Sequence, residues 1–131
     1  MNTVTENKIR EFTDLKAWQE GHKVVMDIYR ISKNFPREAI FGLTSQMQRA
    51  AVSITSNIAE GFGRHGYKEK VQFYYLAHGS LTELKNQIFI ARDIGYMTTE
   101  NTAPLISQLI KTHCLLQGLI SKTKEFLNHE S

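Results

Sequence analysis

The chain has one cysteine, two prolines and no long apolar run, and each shortage narrows the field. Cys114 has no partner for an intramolecular disulfide. Set in an apolar helical run with no base near it in sequence, it is expected as a small buried hydrophobe rather than a reactive thiol. Only Pro36 and Pro104 interrupt the chain, and no window approaches the ~18 apolar residues that a membrane span requires. The protein is therefore expected to be soluble and to have no membrane partner. Residues 1–12 mix both charges and lack an apolar stretch followed by a small-residue cleavage site, which argues against a signal peptide and for a cytoplasmic location. Strong charge is missing too. The net +3 is spread along the chain with no basic tail, so a single copy would not hold nucleic acid firmly through charge alone. Several aligned copies of one basic spot would.

What is present is one domain's worth of ordinary globular composition, 41% hydrophobic and 22% charged over 131 residues. The apolar residues recur at helical spacing in four segments. The first runs from about Asp14 to Lys33, with Leu15, Trp18, His22, Val25, Tyr29 and Ser32 as its stripe, broadened by Val24 and Ile28. Thr13 or Asp14 supplies its N-cap, and Asn34-Phe35-Pro36 ends it because the residue before proline is pushed out of the helical region. The second begins near Thr44, carries Met47, Ala50, Ile54, Ile58 and Gly61, and stops at Gly61-Phe62-Gly63. The third opens near Gly66 or Tyr67 and runs to Ile94 on Val71, Tyr74, Ala77, Leu81, Leu84, Ile88 and Ala91, with Gly95 as its C-terminal stop. The fourth is N-capped between Thr98 and Thr102, takes Pro104 in about its first turn, and carries Leu105, Leu109, Thr112, Leu116, Leu119, Thr123 and Phe126. Long helices on short links must lie antiparallel to their neighbours. The expected fold is all-α, an up-down-up-down four-helix bundle over residues 13–127, with a flexible segment at 1–12 and a frayed end at 128–131. No segment alternates in the manner of a strand.

Catalytic and metal-binding patterns are absent. A carboxylate-bridged di-metal bundle needs Glu-x-x-His pairs, yet none of His22, His65, His78, His113 and His129 follows a Glu by three residues. The glycine cluster from Gly61 to Gly66 lacks the Lys-Ser/Thr of a phosphate loop and a strand before it. Ser53, Ser56 and Ser80 stand mid-helix without a nucleophile elbow. No metal, no cofactor and no enzymatic activity are expected, and His78 is read as a satisfied core or interface histidine rather than a general base.

A second face on the middle helices asks for another explanation. Arg49, Ser53, Asn57 and Glu60 recur at steps of three and four, with short polar side chains where a solvated helix usually carries long ones. Ser and Asn compete for backbone hydrogen bonds inside a helix, so a run of them implies partners elsewhere. On the third helix Gly79, Ser80 and Glu83 lie off the core stripe, and a mid-helix glycine costs about 1 kcal/mol of helix propensity relative to Ala. The set Ser53, Asn57, Glu60, Gly79, Ser80 and Glu83 is therefore expected to meet a neighbouring subunit, the other reading being a solvated face. Phe73, Tyr74, Tyr75 and Phe89 offer more apolar surface than one stripe hides, so Phe73 or Phe89 is expected at that interface. Arg49, Arg64, Lys68 and Lys70, with His65, are expected around the turn between helices two and three as a nucleic-acid-binding set, with Tyr67 for stacking.

Several stretches occur together in a specific order: Phe12-Thr13-Asp14-Leu15-Lys16-Ala17-Trp18-Gln19, then Phe35-Pro36 with Phe41-Gly42-Leu43-Thr44-Ser45-Gln46. Arg49-Ala50-Ala51-Val52-Ser53-Ile54 through Asn57-Ile58-Ala59-Glu60-Gly61 follows, and then Ala77 to Leu84. In these the chain resembles the four-helix-bundle family of proteins encoded within intervening sequences of 23S ribosomal RNA genes. Gly21 stands where relatives prefer alanine and is expected to loosen the first helix. A relative of the family, the accessory protein of diversity-generating retroelements, is a homopentameric barrel that partners a reverse transcriptase and RNA. The resemblance thus implies a non-enzymatic accessory protein that assembles with itself, as a homopentamer, and binds RNA or a nucleic-acid-processing protein. A protein–protein adaptor ring that never touches nucleic acid is the alternative, and a bundle enzyme with an unrecognised site is a third reading.

Overall fold

The computed structural model describes residues 8–130, so the first seven residues of the expected flexible segment and residue 131 lie outside the described residues. Four long helices carry the fold: α1 (Lys16–Ser32), α2 (Ser45–Gly63), α3 (Tyr67–Asp93) and α4 (Thr99–Glu130). A 3-10 turn, Phe12–Asp14, precedes α1, and a short turn followed by a wide helical turn, Arg37–Ala39 and Ile40–Thr44, links α1 to α2. α2 packs on α1 and α3, and α4 packs on the same two, so the helices close a four-membered bundle. No strand occurs among the described residues, and no helix among them is long and apolar enough to cross a membrane. The helical geometry of α4 continues to Glu130, past residue 127 where the sequence pattern ends the bundle.

The stripes of α2 and α3 are buried as their spacing predicts, and burial pushes the Tyr74 phenol up to about 12. α1 differs. Val24, Val25, Ile28 and Ser32 are buried as expected and Ala17 and Gly21 join them, whereas Trp18 is half-buried and His22 and Tyr29 are exposed. The small residues explain the rotation. A Cβ at Gly21 would sit 3.1 Å from Thr55 Cγ2, so glycine admits α1 close to α2 rather than loosening it. Trp18 instead stacks on His22 at 4.8 Å and meets Phe12 edge-on at 5.6 Å, closing the rim. On α4, Ile120 is buried where Leu119 was expected, and Phe126 is exposed, stacked on Tyr67 at 5.4 Å. Cys114 is exposed, contrary to the expected core position, because Thr112 and Leu116 take the inward face and residue 114 falls on the far side of the helix.

The ends follow backbone needs. Asp14 accepts hydrogen bonds from the N–H groups of Arg10 and Glu11, 3.0 Å each, so it caps the preceding turn instead of α1, whose first residue follows Leu15. α3 ends with Tyr96 N–H donating to Ala91 O at 2.8 Å and Gly95 N–H to Arg92 O at 3.1 Å. That closure requires the left-handed φ of +91° that Gly95 adopts. Thr98 Oγ1 accepts from Asn101 N–H at 3.0 Å and caps α4. Pro104 lies a turn deeper than expected, exposed, where it deprives the Glu100 carbonyl of a helical donor. Glu20 fastens α1 to α4: it accepts from Gln108 Nε2 at 2.8 Å and pairs with Lys23 and Lys111 at 3.0 and 3.5 Å. The Gln108 hydrogen bond and these ammonium groups hold its carboxyl down to about 2.

α2 and α3 meet closely at Gly61, where a Cβ would fall 2.7 Å from Tyr74 Cε1 and 3.0 Å from Phe73 Cβ. Both neighbours are rigid, so Gly61→Ala forces the helices apart. Its unfolding free energy in urea is expected to fall by about 1–3 kcal/mol despite alanine's better helix propensity. Gly118→Ala, with nothing within 4 Å, is expected to be neutral or stabilising.

Candidate functional site

Near the middle of the α2–α3 contact, Ser53 and Ser80 share a hydrogen bond at 2.8 Å between their hydroxyls. Asn57 Nδ2 donates to Ser53 O and Oγ at 2.9 and 3.0 Å. The partners that short polar residues demand are therefore supplied within one chain, twenty-seven residues apart, by a bridge between helices. All three side chains are half-buried. Outward of this bridge, α3 turns Leu76, Gly79 and Glu83 to solvent at steps of three and four, and α2 turns out Arg49, Val52, Ser56 and Glu60. Leu76 is 57% exposed and Val52 39%, and a Cβ on Gly79 would meet nothing within 4 Å. Glu83 accepts from Gln87 Nε2 at 3.4 Å and Glu60 pairs with Arg64 at 3.1 Å. Of the six residues singled out by spacing, Ser53, Asn57 and Ser80 are joined in one hydrogen-bonded seam, while Glu60, Gly79 and Glu83 are exposed on their own helices.

The basic set does not converge in the same way. Arg49 lies near the start of α2 and Arg64 just beyond its end, fifteen residues on, or roughly 22 Å along the axis. Lys70, half-buried, donates from Nζ to Phe62 O at 2.6 Å and to Gly61 O at 3.4 Å, and lies over the Phe62 ring at 5.3 Å. It satisfies carbonyls that the end of α2 leaves without donors, and burial lowers its proton affinity. Its ammonium is thereby committed to the fold rather than offered to a phosphate. Arg64 is shared between Glu60 and the face of Phe73 at 4.6 Å. An open hollow of about 750 Å³ beside it is lined by Glu60 and Glu69 as well as Arg64 and His65, so its charge is mixed. Lys68 and His65 are exposed.

The aromatic expectation is altered likewise. Phe73 and Phe89 are half-buried, and each lies under an arginine, Arg64 and Arg92 respectively. Tyr75, Leu76 and Ile90 are the large apolar side chains that α3 leaves out. His78 is half-buried against His113 of α4. Among the described residues no group of three or more His, Cys, Asp or Glu side chains is placed to hold a metal ion. The Ser53–Ser80 bridge had a partial signal in sequence, the short polar residues themselves. The Lys70 cap had none, because a lysine three residues into a helix reads the same whether solvated or folded back.

A family model described as 23S rRNA-intervening sequence protein matches residues 13–118. The chain belongs to that family. The 23S rRNA-intervening sequence protein fold also appears in a crystal structure from Bacteroides thetaiotaomicron, a protein with unknown function from the S23 ribosomal protein family. It superposes with a TM-score of 0.74 at 18% identity, over 80% of this chain and 95% of that one, a likeness of fold. A search of the curated proteins gives no match.

Replacing Lys70 by methionine keeps its stem and removes its donors. The variant is expected to lose about 1 kcal/mol of stability in urea unfolding. An unchanged midpoint contradicts the capping role.

Proposed function

We propose that this member of the 23S rRNA-intervening sequence protein family is a non-enzymatic accessory protein that closes into a homopentameric ring and binds RNA on the surface the ring creates. The observation that carries the reading is the outer face of α2 and α3. Leu76 and Val52 are apolar surface that the bundle does not use, and Gly79 lets another backbone approach. Ser53, Asn57 and Ser80 have hydrogen bonds inside the chain, so covering this face leaves none of these three side chains without a partner. Five copies are what the family resemblance implies.

RNA binding follows from repetition. Arg64, Lys68 and His65 at one end of the α2–α3 pair and Arg49 at the other are modest on one chain, but a ring presents each of them once per copy. The phosphate backbone responds to such arrays, and the affinity falls with salt as counterions compete.

Gly79→Arg places a long side chain on the proposed contact without a clash inside the bundle. Its hydrodynamic radius on gel filtration is expected to shrink to that of a single bundle. A radius equal to the parent's overturns this interface. In a titration with structured RNA at low salt, the parent is expected to bind and Arg64→Gln with Lys68→Gln to bind more weakly. Failure of the parent to bind removes the RNA half of the reading and leaves an adaptor ring.

A further inference from the structure

The two edges of α3 differ in character. The edge toward α2 carries the serine bridge, and the edge toward α4 carries the rings of His78 and His113, with centroids 4.8 Å apart and planes tilted by 56°. A hollow opens on each side of this pair. One, of about 370 Å³, is walled by Tyr75, Gln117, Ser121 and Lys124, and the other, of about 220 Å³, by Thr82, Lys85 and Ile110. No carboxylate lines either one. Among the described residues neither Lys85 nor Lys124 has an acidic partner, whereas Glu20, Asp27, Glu60 and Asp93 pair with cations elsewhere. Lys124 lies over the Tyr75 ring at 5.0 Å, and that ring is 47% exposed.

The seam is thus a line of positive and protonatable groups over roughly 15 Å of α3, from Tyr75 to Lys85. Burial first, and then His78 and Lys85, lower the proton affinity of His113. The same lysines disfavour a metal cation between the two imidazoles and favour an anion. Hollows this small do not admit a duplex. They fit phosphates and single bases, and a half-exposed tyrosine offers the stacking face that an unpaired base uses.

We infer that the α3–α4 seam grips single-stranded RNA, with Lys85 and Lys124 on its phosphates, the His78–His113 pair as an anion-binding centre between them, and Tyr75 as a stacking platform. This rests on the reading that the chain binds RNA, and places a second contact apart from the α2–α3 turn. The titratable groups facing the histidines are Tyr75 and Lys85 from α3 and Lys124 from α4. Burial and the neighbouring cations hold His113 below the ordinary imidazole range, so it takes up a proton, and the seam gains positive charge and affinity for phosphate, only as pH is lowered beneath that range.

Fluorescence anisotropy of labelled oligouridylate, across a salt series at about pH 8 and about pH 5.5, tests this. Lys85→Gln with Lys124→Gln is expected to weaken binding about tenfold and to flatten the slope of log K against log salt by about 1.4, at ~0.7 per single-strand phosphate contact. Lys85→Arg with Lys124→Arg is expected to restore both. The parent should bind several-fold more tightly at the lower pH, and His78→Gln with His113→Gln should erase that gain. Thermal melts confirm that each variant folds. If the seam variants bind as the parent does while Arg64→Gln with Lys68→Gln abolishes binding, this inference fails and the proposed function stands. If the parent binds no RNA, this inference fails together with the RNA half of the proposed function, and the ring half stands. If polyglutamate displaces the oligonucleotide at equal charge concentration, the seam is a site for acidic polypeptide and the assignment to RNA is overturned.

Discussion

The absence of a side chain at Gly61 sets the distance between α2 and α3, and most of the surface geometry follows from that distance. With Tyr74 and Phe73 pressed to where a Cβ would stand, the two helices lie close enough for one of the Ser53 and Ser80 hydroxyls to donate a hydrogen bond to the other at 2.8 Å. The same approach carries the Lys70 ammonium back onto the last carbonyls of α2, so one helix end is capped by the next helix. Were the helices a methyl group further apart, the serine bridge would open and its hydroxyls would need water. The outer face would then resist burial against anything else. Packing inside the bundle and the character of its exterior are thus a single constraint.

α3 shows how much one helix carries. Its inward stripe from Val71 to Ala91 fills the core, its α2 edge holds Ser80, its outer face shows Leu76, Gly79 and Glu83, and its α4 edge presents Tyr75, His78 and Lys85. Four directions with four chemistries leave little sequence free, and they explain why α3 is weakly amphipathic beside α1. A helix that is apolar or specifically polar all round has several neighbours to satisfy.

Much of this was legible from spacing alone. The stripes of α2 and α3, the stop at Gly95 and the Thr98 cap are local features, and local rules found them. The inward face of α1 is legible in part: Leu15, Val24, Val25, Ile28 and Ser32 are buried as expected, but Trp18, His22 and Tyr29 recur at helical spacing and outweigh Ala17 and Gly21 in hydropathy, although the small residues are what a close helix contact selects. The expected core position of Cys114 follows from the apolar character of its surroundings, whereas the stripe through Leu109, Thr112 and Leu116, buried as its spacing predicts, puts residue 114 on the far side of the helix. The polar face was recognised, but its nearest partner was sought in another subunit when Ser80 of the same chain supplies it. Of the basic set, Arg64, His65 and Lys68 stay at the α2–α3 turn, whereas the length of α2 separates Arg49 from them and Lys70 folds back onto the end of α2. The His78–His113 contact depends on the register of α3 against α4, which only the assembled core determines.

The central claim is that the outer face of α2 and α3 is covered by further copies of the chain. The mass of the unmodified protein by sedimentation equilibrium at micromolar concentration tests it most directly. The account predicts one species of five chains. A single species with the mass of one chain, at every concentration up to the solubility limit, contradicts it.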